Sequence, residues 1–139
     1  MAKIKYDKSG KHEAYATAWT LAIYEQQFKA DMIADIYGVI DATRQRITTD
    51  NAGNVLCIDY TADHWTKSLQ ALWAMLYTAA EIGFMKGVVA ANDRVPAYDA
   101  WIKSVGAVDI NAINDFVVQE MEKGFFRSPA GNGGKTTTN

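Results

Sequence analysis

Apolar positions recur along this chain with a period that changes from segment to segment. From about Thr17 the spacing is helical: Trp19 and Ile23, and beside them Leu21, Tyr24 and Phe28. A competing strand-like alternation runs from Tyr15 to Ile23, but nearby alanines and the Glu25-Gln26-Gln27 run favour helix. Met32, Ile33, Ile36 and Ile40 continue an apolar stripe, with Asp31 placed to open a helical turn and Gly38 expected to end the aromatic-rich run. Between Gln45 and Tyr60 the pattern becomes that of a β-hairpin. Arg46-Ile47-Thr48-Thr49 and Val55-Leu56-Cys57-Ile58-Asp59-Tyr60 flank Asp50-Asn51-Ala52-Gly53-Asn54, which supplies the residues that accept positive φ.

The strongest helix follows. Thr61 or Asp63 can cap it, and Trp65, Leu69, Leu72, Trp73, Leu76 and Ala80 form one apolar stripe. Ala71, Ala74, Met75 and Tyr77 carry the apolar surface around the back, so this helix is central or shared with a partner. Pro96 opens a short helix that turns Tyr98, Trp101 and Ile102 inward and stops at Val105-Gly106. Asp109 caps a last helix with Ile110, Ile113, Val117 and Met121 on its core face, joined by Phe116.

These elements predict a mainly α fold: a small single-domain helical protein with one β-hairpin inserted between the N-terminal helices and a central Trp-rich helix. Residues 1–12 read as an extended arm, 13–126 as the domain with its hairpin near 45–60, and 127–139 as a flexible tail without an apolar anchor. A chain of 139 residues with 49% apolar and 22% charged residues supports one core. A net charge of −2 gives no general attraction to nucleic acid, although Lys3, Lys5, Lys8 and Lys11 gather at the start. No run approaches the ~18 apolar residues of a membrane span, and no signal peptide follows the N-terminal lysines. The expectation is a soluble intracellular protein that binds neither nucleic acid nor membrane.

The candidates for chemistry are few. Cys57, Asp59, Asp63 and His64 are close in sequence, yet a cysteine nucleophile needs its base in space, and Cys57 sits between Leu56 and Ile58 in a strand. A metal held by Asp59, Asp63 and His64 would need further ligands, and His12 beside Glu13 is the remaining imidazole. Gly133-Gly134-Lys135-Thr136 superficially matches a phosphate loop, but no strand precedes it and no helix follows. No enzyme, cofactor or metal is expected.

The order of parts resembles the tail assembly chaperones of long-tailed phages. A Tyr-Glu-x-x-Phe-x-x-Asp-Met-Ile-x-Asp segment lies at Tyr24 to Asp35, a Trp-x-x-x-Leu-x-x-Leu-Trp-Ala-Met-Leu helix at Trp65 to Leu76, and a Pro-x-Tyr-x-x-Trp step at Pro96 to Trp101. An acid-capped closing helix completes a similarity covering roughly residues 14 to 127. Lys29 departs from the pattern, which has glycine after the aromatic.

The resemblance implies a binding role without turnover: covering the apolar stripes of the tape measure protein, a long helical client, while the tail tube forms. It also implies a longer frameshifted form reaching the major tail protein, self-association, residence in the host cytoplasm and absence from the mature virion. The alternative is another small morphogenesis protein, a head–tail connector or minor tail component. Met32, Ile36, Tyr37 and Met75 are the expected client contacts, as adaptable apolar side chains left over once the core is filled.

Overall fold

The computed structural model describes residues 2–44, 47–58 and 60–125. A two-stranded hairpin, β1 (Lys3–Ile4) with β2 (His12–Glu13), leads into α1 (Ala18–Phe28) and α2 (Met32–Arg44). A second hairpin, β3 (Ile47–Thr49) with β4 (Val55–Ile58), precedes α3 (Ala62–Met85). A 3-10 turn at Ala91–Asp93, then α4 (Tyr98–Ser104) and α5 (Ile110–Phe125), complete the described chain.

Local chemistry sets these boundaries. Thr17 caps α1: its side chain accepts from the Trp19 N–H, while its own N–H donates to Thr20 Oγ1. Lys29 ends α1 in the left-handed region, φ 53° and ψ 42°, and its N–H returns to the Glu25 carbonyl. Asp31 then accepts from the N–H groups of Ile33 and Ala34 and starts α2. Thr61 caps α3 through the His64 N–H, and Asp109 caps α5 through the Ala112 N–H. Gly38 does not stop α2, which runs on to Arg44; one glycine inside a helix costs only about 1 kcal/mol against alanine.

The central helix α3 packs against α1, α2, α4, α5 and β2. That position explains a buried surface extending around it, with Ala71 to Leu76 all inside. Trp65, expected at the head of the core stripe, is instead 36% exposed. Its place on the inner face is taken by His64 and Ser68, one turn apart. Ile113, Val117 and Met121 bring α5 onto the same core.

An aromatic layer joins α1, α3 and α4. Phe28 meets Tyr24, Trp73 and Tyr98 edge-on, with ring centroids 4.8, 5.8 and 4.8 Å away. The Trp73 indole N–H donates to the Pro96 carbonyl at 2.9 Å, fixing the chain just before α4.

Candidate functional site

The expected client contacts fall mostly inside the protein. Met32, Ile36 and Met75 are 1, 1 and 0% exposed, and Tyr37 is half-buried against the core. Met32, Ile36 and Met75 are therefore corrected from surface to core. α2 packs on α3 across these side chains, so the stripe is consumed by the fold. Tyr24, on the facing helix, donates its hydroxyl hydrogen to Asp35 Oδ2 at 2.7 Å, with Gln70 alongside at 3.1 Å. Burial and that bond raise the Tyr24 pKa, so the phenol stays protonated and holds α1, α2 and α3 together.

Of the cysteine–histidine grouping, the structure describes the side chains of Asp63 and His64. His64 is buried and its Nε2 lies 2.8 Å from Asn114 Oδ1, while the Tyr60 ring meets it edge-on. Asp63 is exposed and pairs with Lys67 at 3.1 Å. Cys57 belongs to β4, and Asp59 lies outside the described residues, as do residues 126–139 with their glycine-rich segment. Among the described residues no group of three or more His, Cys, Asp and Glu could hold a metal ion. No helix there is long and apolar enough to cross a membrane.

A serine–histidine contact that sequence spacing did not reveal lies at the turn of the first hairpin. Ser9 Oγ is 2.8 Å from His12 Nε2 and also bonds Asp7 Oδ1, which accepts from the Ser9 N–H as well. The carboxylate can only accept, so the one Oγ hydrogen goes to Asp7 and His12 must donate to Ser9. A base that is donating cannot activate this hydroxyl, and the trio acts as a clasp on the turn. Burial opposes the Asp7 charge, but the bonds from Ser9 and from the Gly106 N–H outweigh it and lower its pKa. The clasp borders a cleft of about 510 Å³ with Tyr6, Leu76 and Trp101 among its lining residues.

Apolar side chains left over from the core collect elsewhere. Met85 and Val88, at the end of α3, are 70 and 78% exposed, with Phe84 beside them. Two glycines shape the chain there. Gly83 lies so close to the Val89 side chain that no Cβ fits, and Gly87 turns the backbone at φ 78°. Arg94 stands over the Phe84 ring at 4.3 Å while its fork grips Glu81 at 2.8 and 2.6 Å.

A second apolar surface opens between α1 and α3. Trp19 is exposed beside Tyr77, their ring centroids 6.4 Å apart, and Trp73 floors a groove of about 360 Å³. Finding it in the sequence would have required knowing that the segment before α4 also lines it. Scanned against models of protein families, curated proteins and solved structures, the chain finds no match.

Proposed function

We propose that this protein is a binding protein without turnover: a tail assembly chaperone that keeps a phage tape measure protein soluble in the host cytoplasm and leaves before the virion is complete. The observation that carries the reading is the cluster of Phe84, Met85 and Val88 held out from the end of the central helix. Such a knob suits a client whose own apolar helical stripes need cover. The small surface makes each contact weak, and many copies along one long client would supply the strength. The order of motifs from Tyr24 to Trp101 supports the same reading.

The test is co-expression with a tape measure fragment that precipitates alone. The unmodified protein is expected to hold the fragment in the soluble fraction, and Met85→Asp with Val88→Asp to lose that protection while remaining folded by circular dichroism. A fragment that precipitates beside the unmodified protein rejects the chaperone role. Recovery of the protein in purified particles, as a stable ring, would favour the connector reading instead.

A further inference from the structure

We infer that the knob of Phe84, Met85 and Val88 selects a helix whose apolar stripe is bordered by Asp and Glu rather than by Lys and Arg. This rests on the reading of the knob as the client contact and adds the charge that the client carries beside its stripe.

The charges that a partner would meet around the knob are positive. Lys86 follows Met85 directly; it is exposed and pairs with no carboxylate among the described residues. Arg94 stands over the Phe84 ring at 4.3 Å and pairs with Glu81, but the two partners are placed unequally. The Arg94 side chain is 44% exposed and that of Glu81 only 12%. Both Glu81 oxygens are engaged by Arg94 Nε and Nη2, at 2.8 and 2.6 Å. The guanidinium has five N–H groups, so donors remain on its outer side for a second carboxylate. Asp93, the next acid along the chain, lines the cleft that reaches the first hairpin.

The end of α3 does little to cancel these cations. A helix C-terminus repels anions through its free carbonyls. Here the Ile82 carbonyl accepts the Lys86 N–H, Gly83 accepts those of Val88 and Val89, and Phe84 accepts that of Gly87. Two helices with the same apolar stripe gain equally from covering Met85 and Val88, so the charges along the border decide between them. The whole chain, with its net charge of −2, works in the opposite direction and draws a basic helix. Preference for an acidic border therefore reports a local patch.

Two synthetic amphipathic helices sharing one leucine stripe, bordered by glutamates in one and by lysines in the other, test this by fluorescence anisotropy. At low salt the unmodified protein is expected to bind the glutamate helix about fivefold tighter or more, and the ratio should shrink toward one in about 0.5 M salt. Lys86→Glu, at an exposed position, should lower the ratio by about fivefold. Lys3→Glu with Lys5→Glu, on the first hairpin, should leave it in place. Met85→Ser with Val88→Ser removes the shared apolar contact and should weaken both helices alike, and circular dichroism checks each fold. Equal affinity for the two helices, tighter binding of the lysine helix, or a ratio that Lys86→Glu leaves unchanged overturns the inference. The knob then still stands as the client contact if the serine variant weakens both helices. If neither helix binds, or the serine variant binds both as the unmodified protein does, the knob reading falls and the inference with it.

Discussion

Thr20 and Thr78 meet hydroxyl to hydroxyl at 2.7 Å in the buried seam between α1 and α3. The direction of the bond is fixed by its neighbours. Thr78 spends its hydrogen on the Ala74 carbonyl at 2.7 Å, so Thr20 must donate to Thr78 while accepting from the Thr17 N–H. A helix cap and an interhelical contact are thus one relay. Thr78→Val strands the Thr20 hydroxyl and should cost about 1–3 kcal/mol in urea unfolding. Adding Thr20→Val should return part of that loss; simple additivity would mean the hydroxyls act separately.

Lys29 has the described chain's one positive φ outside glycine. A side chain in that region costs roughly 1–2 kcal/mol, which glycine avoids at some expense of unfolded-state entropy. Lys29→Gly should therefore raise stability by about 0.5–1 kcal/mol, read as a higher urea midpoint. A lower midpoint would show that the lysine side chain contributes contacts outweighing the backbone term.

Trp73 combines burial with a bond to the Pro96 carbonyl. Trp73→Ala should cost roughly 3–5 kcal/mol, the range for losing a large core ring. Trp73→Phe retains most of the ring but no donor, and should cost about 1 kcal/mol for the bond, plus a smaller cavity term. Comparable losses in the two variants would place the importance of Trp73 in its N–H.

Ser68 is buried on α3, and its hydroxyl has no bond partner among the described residues. Removing an unpaired buried polar atom relieves desolvation, so Ser68→Ala should leave the thermal midpoint unchanged or raise it. A drop of several degrees would place a bound water on that hydroxyl.

The Asp7 clasp gives a pH dependence of fixed sign. Its carboxyl titrates lower in the folded protein than the usual 3.8, so the clasp stabilises fully above the unfolded value. That contribution is lost as pH falls through the lower folded value. Asp7→Asn should flatten the acid limb of a thermal-midpoint profile below about pH 4 and leave neutral pH least affected in slope. An unchanged acid limb would show that the turn holds without the charge.

Where a signal was local, the sequence was readable. Thr61 and Asp109 are caps followed directly by apolar periodicity, and Gly53 marks the hairpin turn with φ 86°. The first hairpin pairs only two residues on each side, too short to carry a period. Inside and outside on α3 were harder to tell apart, because a helix apolar nearly all round does not say which neighbour covers each face. Trp65 faced out and Met75 in for that reason. The groove was illegible because α1, α3 and the Val95–Ala97 segment build it together, and no single stretch contains it.

Gly124 packs so tightly on the backbone of Ala16 that an added Cβ would stand 2.7 Å from the Ala16 carbonyl oxygen. Two residues earlier, Ala14 donates its N–H to the carbonyl of Ala2. Both ends of the described domain therefore come together on the strip that leads into α1. A short linker from Phe125 to Ala2 would close the chain into a ring, and the ring could be cut again at the exposed Asn51–Gly53 turn with every helix left whole. The order in which the helices are synthesised is thus separable from the way they pack.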